Sequence, residues 1–194
     1  MKKIQFIVVP LTLAYGLLFA TSTPGQSISR LEAGANYNYV RTNAAPGDCG
    51  CIALQGGNGW VSHNLIRQFD VVGEFGTQYA SNISPFAADL TLWSYMGGIR
   101  YKREVYRRFS PFAQVVAGGA HATGSMAPGN SGIPGSSNAF AMAAGGGVDF
   151  GFAPHFAVRL IQADYYYTRF ANGVNNRQNN LRIGAGFIFR FGNK

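Results

Sequence analysis

The sequence predicts an all-β fold: an eight-stranded antiparallel up-and-down transmembrane β-barrel behind an N-terminal export signal. Three observations predict it. Hydrophobicity alternates with period two in segments of about ten residues, the length of a tilted membrane strand. Charged residues make up only 12% of a chain that carries 26 glycines, 15 Phe and 10 Tyr. The start is basic, then apolar, then small and polar, as in a secretory signal peptide.

That leader opens with Met1-Lys2-Lys3, runs apolar from Ile4 to Ala20 and continues as the small, polar stretch Thr21 to Ser29. Pro10 interrupts the run and no stop-transfer charges follow, so cleavage between Ala20 and Ser27 is expected rather than a membrane helix. Residues 1–27 are assigned to the signal peptide and 28–194 to a single barrel domain. No later stretch is apolar for the roughly 18 residues a transmembrane helix needs.

Strand one is Leu31 to Val40, with Leu31, Ala33, Ala35, Tyr37 and Tyr39 opposing Glu32, Gly34, Asn36 and Asn38. Strand two spans about Gly59 to Ile66 and turns tightly at Arg67-Gln68 into strand three, Phe69 to Tyr79. Strand four, about Leu90 to Lys102, sets Trp93, Tyr95, Ile99 and Tyr101 on one side, while Leu90, Leu92 and Met96 blur the other. Strand five is Pro111 to His121, with Val115 toward lipid and Gln114 inward, and strand six is Ala139 to Phe150. In strand seven, Phe156 to Arg169, Arg159 shares a face with Gln162 and Asp164 only if a bulge absorbs one residue near Leu160-Ile161. Strand eight, Leu181 to Phe191, alternates most cleanly.

Long connections are expected over 41–58, 123–138 and 171–178, against short turns at the other end, the asymmetry of a barrel with periplasmic termini. The rival fold is a soluble barrel with charge outside. Here the mixed face is small and glycine-rich and holds the charges, while its partner face is dense in Tyr and Phe, so lipid belongs outside. Two aromatic girdles are expected, Tyr37, Tyr39, Tyr79, Tyr165 and Tyr167 toward the loops and Phe150, Phe156, Phe189 and Phe191 toward the turns.

Inside, Glu32, Glu74, Asp149, Arg159, Asp164, Arg182 and Arg190 form an expected charge network. Glu32 should meet Arg190, Asp164 should meet Arg182, and Arg159 should lie near Asp149, because buried charge is costly unless paired. The basic stretch from Arg100 to Arg108, in a chain of formal charge +8, reads either as a neighbour of anionic lipid headgroups or as a solvated turn. Export argues against nucleic acid as the partner.

With these strands placed, the chain resembles the small OmpA/OmpX-type eight-stranded outer-membrane barrels and opacity-like surface antigens. The matching features are the leader, Gly56-Gly57-Asn58-Gly59-Trp60, Val71-Val72-Gly73-Glu74-Phe75, Gln162-Ala163-Asp164-Tyr165 and Phe187-Ile188-Phe189-Arg190-Phe191. The resemblance implies an integral place in a bacterial outer membrane, with outer-membrane lipid and lipopolysaccharide as surroundings. It also implies handling by the barrel-assembly machinery, which reads a terminal aromatic; here Phe191 is followed by Gly192-Asn193-Lys194.

Chemistry is sparse. His63, His121 and His155 are scattered without metal-ligand spacing, so no metal is expected. Ser62-His63 is the one pair to weigh for a lipid A-modifying enzyme, yet strand neighbours point to opposite faces. The glycine runs at 118–119 and 145–147 lack the Lys-Ser/Thr and helix of a phosphate loop. In an oxidising compartment Cys49 and Cys51 are expected to form a small-ring disulfide, ahead of two thiols, an intermolecular bridge or a metal site. The expected function is therefore non-catalytic and without a cofactor: a structural or surface-exposed barrel acting as adhesin, receptor or envelope stabiliser, with an unidentified extracellular ligand. A small passive pore is the alternative, and a lipid A enzyme comes behind it.

Overall fold

A computed structural model of the chain describes residues 31–42, 52–83, 88–103, 108–124, 135–170 and 176–191. The leader and Cys49 and Cys51 lie outside them. Eight strands close in sequence order: β1 (Leu31–Thr42), β2 (Ile52–Ile66), β3 (Phe69–Ile83), β4 (Ala88–Lys102), β5 (Phe109–Gly124), β6 (Gly135–Gly151), β7 (Phe156–Thr168) and β8 (Gln178–Phe191). Every neighbouring pair is antiparallel, and β1 pairs with β8, so the sheet has no edge. In hydrocarbon this is what closure achieves, since each backbone N–H and C=O finds its partner within the sheet.

The period-two pattern fixes which residues meet lipid. Along β1 the side chains of Glu32, Asn36, Asn38 and Val40 are buried while Leu31, Tyr37 and Tyr39 are exposed. The same alternation puts Gln114 inside and Val115 outside, 56% exposed. On β7 the ladder shifts between Arg159 and Gln162, so that Leu160 and Ile161 both face outward and Arg159 and Gln162 both face the lumen. A bulge of this kind puts two polar side chains on the inner face without exposing either to lipid.

Two expectations need correction. Residues 52–58 were expected in a loop, but they are strand, paired throughout with β1 and from Gln55 onward with β3 as well. The glycines there mimic turn composition, yet a Cβ on Gly56 would collide with the Thr77 carbonyl, so glycine permits the neighbouring strand's close approach. β6 and β8 likewise begin earlier than expected, at Gly135 and Gln178, which shortens the loops. The second correction concerns the basic stretch of β4. Alternation sends Arg100 and Lys102 into the lumen and leaves Tyr101 outside, with Arg103 and Arg108 exposed beyond the strand, so Arg100 and Lys102 face neither headgroups nor an exposed turn.

The turn end carries a band of contacting aromatics. Phe156 lies 4.5 Å from Phe189, Phe189 lies 5.0 Å from Phe191, and Phe150 lies 5.0 Å from Phe109. Phe69 and Tyr101 extend it on the far side. Toward the loops Tyr37, Tyr39, Tyr79 and Tyr165 are exposed and Tyr167 is half-buried, with Tyr37 donating to Gln55 at 2.7 Å and Tyr165 to Asn179 at 2.6 Å. Apolar ring with polar tip suits a membrane interface.

Val115 stands on the lipid face between these bands. Val115→Arg should destabilise the barrel by about 2–4 kcal/mol in a urea titration in lipid, while Val115→Ile leaves it unchanged. Equal stability of the two would show that this face is not in hydrocarbon.

Candidate functional site

The lumen holds the chain's polar chemistry. Its described side chains include five acids, Glu32, Asp70, Glu74, Asp149 and Asp164, and five bases, Arg100, Lys102, Arg159, Arg182 and Arg190. These cancel, so the described lumen side chains add nothing to the formal charge of +8.

Most of the charges join in one chain of hydrogen bonds. At the turn end Arg190 donates to Glu32 at 3.1 Å. Lys102 from β4 bridges Glu32 on β1, at 2.8 Å, and Asp149 on β6, at 3.0 Å. Asp149 also accepts from Arg159 Nε at 2.8 Å. Arg159 Nη1 donates to Gln162 Oε1 at 2.7 Å, and Gln162 Nε2 donates to Asp164 at 2.7 Å. Arg182 then bonds Asp164 at 2.7 Å and reaches Glu74 on β3. The chain thus runs from the turn-end mouth to the middle of the barrel and touches β1, β3, β4, β6, β7 and β8.

A second device crosses the same space. Arg100 and Arg159 both stack on Trp60 and Phe112, with Cζ to ring-centroid distances of 4.1 and 5.0 Å for Arg100 and 4.4 and 4.1 Å for Arg159. Desolvated guanidinium over an aromatic face is worth about 2 kcal/mol or more. Gln114 holds Arg100 by accepting from Nε at 3.0 Å and Nη2 at 2.9 Å. Gly34 makes room for the indole, since a Cβ there would lie 2.5 Å from Trp60. Beyond this layer Arg182 packs beneath Tyr166, 5.5 Å from its ring centre, and Val40, Leu54 and Leu92 fill the outer part.

Closed topology, an apolar aromatic exterior and a charge-balanced interior together describe a membrane barrel. Over residues 11–189 the chain matches the family model described as the outer membrane protein beta-barrel domain. The chain belongs to that family. Its fold is similar to that of Neisserial surface protein A, with a TM-score of 0.61 at 15% identity over 85% of this chain and 98% of the other. It is also similar to Ail, the attachment invasion locus protein of Yersinia pestis, with a TM-score of 0.52 at 19% identity over 84% of this chain and 97% of that one. A comparison with curated proteins gives no match.

Within this outer-membrane barrel the structure brings Glu32 to Arg190, Asp164 to Arg182 and Arg159 to Asp149. Sequence reasoning placed Glu74 in the lumen without a partner, set Gln162 on the face of Arg159 and Asp164 without its linking role, and missed Arg100, Lys102 and Trp60. Extending the outward face of Tyr95, Ile99 and Tyr101 by one residue each way would have found Arg100 and Lys102. Ser62 and His63 are not brought together: Ser62 is buried inside and His63 is on the other face. His121 meets Asn138 at 2.7 Å and His155 the Arg190 carbonyl at 3.1 Å. Among the described residues no group of three or more His, Cys, Asp and Glu is arranged to hold a metal.

Removing one member of a buried pair leaves its partner charged and unbonded, at about 3–5 kcal/mol. Arg182→Ala orphans both Glu74 and Asp164 and should reach that range, whereas Arg103→Ala on the exposed rim should change stability by less than about 0.5 kcal/mol. Equal losses in a folding titration would show that the lumen is wet enough to solvate these carboxylates.

Proposed function

We propose that this outer-membrane barrel is non-catalytic and self-sealed, a structural or surface-exposed protein whose outer loops make its contacts as adhesin, receptor or envelope stabiliser. The carrying observation is the continuous lumen chain from Arg190 to Glu74, backed by the Arg100 and Arg159 stack on Trp60 and Phe112. A conducting pore needs a water-filled path, whereas here the cross-section is occupied by mutually bonded side chains. In this reading the termini and the connections at 67–68, 103–108 and 152–155 face the periplasm. Those at 43–51, 84–87, 125–134 and 169–177 face outward.

The sealed reading predicts no steady ion conductance for wild-type protein in planar bilayers. An epitope inserted within residues 125–134 should be accessible on intact cells. Steady single-channel conductance would replace this reading with the passive pore, and an epitope reached only after the outer membrane is opened would reverse the orientation.

A further inference from the structure

We infer that the lumen binds one small monovalent anion of halide size, held between the Arg100 guanidinium and the Trp60 indole N–H. The site lies inside the barrel and is the same whichever end faces the periplasm.

Arg100 is fully buried, yet among the described residues it forms no ion pair. Its one hydrogen-bond partner is neutral: Gln114 Oε1 accepts from Nε at 3.0 Å and from Nη2 at 2.9 Å, which leaves Nη1 without an acceptor. Trp60 Nε1, on the ring that Arg100 covers at 4.1 Å, is likewise unpartnered, and so is Gln114 Nε2. Arginine and indole nitrogens only donate, and Gln114 cannot turn its amide over without losing both bonds from Arg100. Three buried donors in one contacting cluster therefore lack an acceptor, and none can serve another. Buried polar groups are as a rule hydrogen-bonded, so these donors call for an acceptor from outside the chain.

Charge decides which acceptor fits. On the turn-end side of Gln162 stand Arg100, Lys102, Arg159 and Arg190 against Glu32, Asp70 and Asp149, while on the loop side Arg182 stands against Glu74 and Asp164. The balanced lumen is thus divided, with one cation in excess around Arg100 and one carboxylate in excess around Arg182. No acid is left over for Arg100. Lys102 and Arg159 share Asp149, Lys102 and Arg190 share Glu32, and Asp70 accepts from Asn64 at 2.7 Å. A water would accept the N–H bonds but leave a buried charge unpaired, whereas a monovalent anion answers both needs. Space sets the size. A Cβ on Gly34 would lie only 2.8 Å from Trp60 Nε1, so the backbone closes on the indole edge and suits a single atom better than a polyatomic oxyanion. Lys102 and Arg190, partly exposed at the turn-end mouth, give an anion a cationic way in.

The test uses bromide as the probe and indole fluorescence as the readout. The chain has two tryptophans, and Trp93 is 39% exposed on the lipid face, so Trp93→Phe leaves Trp60 as the sole reporter. Folded in detergent with sodium isethionate, this parent should show quenching that saturates with bromide and is reversed by chloride at constant ionic strength. Arg100→Gln in the same background should weaken bromide binding about ten-fold, and Arg103→Gln should leave it unchanged. Absent quenching, quenching that rises linearly without saturation, failure of chloride to reverse it, or equal binding by Arg100→Gln would overturn the site and leave water as the acceptor. A gel shift between heated and unheated samples shows whether each variant is folded; if Arg100→Gln is not, saturation and chloride reversal in the parent still decide. Conductance plays no part in this readout, so failure of the site and failure of the sealed reading are separate results.

Discussion

Everything in this molecule follows from the narrowness of an eight-stranded lumen set inside hydrocarbon. Lipid admits no charge on the outer face, so alternation drives Glu32, Glu74, Asp149, Arg159, Asp164 and Arg182 inward. Eight strands leave an interior only wide enough for side chains to fill. Charges confined there have little water to solvate them and must satisfy one another. The bonded series from Arg190 through Lys102 and Gln162 to Glu74 is the solution the sequence reaches.

That series joins strands the ladder does not. Lys102 on β4 holds β1 and β6, and Arg182 on β8 reaches β3 across the lumen, so these contacts form only as the sheet curls and closes. The bulge on β7 serves the same end, since without it Arg159 would face lipid instead of Asp149. Gln162, neutral and able both to accept and donate, links the inner group of charges to Asp164 without adding one of its own. Function inherits this rigidity: with the lumen occupied, variation is left to the rim and the loops.

Strand faces, the bulge and the adjacent-strand pairs Glu32–Arg190 and Asp164–Arg182 were legible because each depends on local periodicity and nearest-neighbour order. Contacts across the lumen were not. Nothing in one strand's pattern shows that Glu74 and Arg182, 108 residues apart, share a cross-section, or that Lys102 sits between two acids. Arg100 and Lys102 were hidden for another reason: a basic cluster reads as surface when counted by composition, and only its parity reveals that alternate members turn inward. The Gly56–Gly59 run misled similarly, because close strand packing and turns draw on the same residue.

The most direct test of a sealed, mutually bonded lumen is solvent exchange of the arginine side-chain N–H groups, followed by nitrogen-detected magnetic resonance of the protein in lipid nanodiscs. Arg159 and Arg182, fully buried and paired, and Arg100, stacked on Trp60 and Phe112, should give slowly exchanging guanidinium signals distinct from those of exposed Arg103. Exchange of all three lumen arginines at the rate of exposed Arg103 would show that water fills the lumen and would contradict the account.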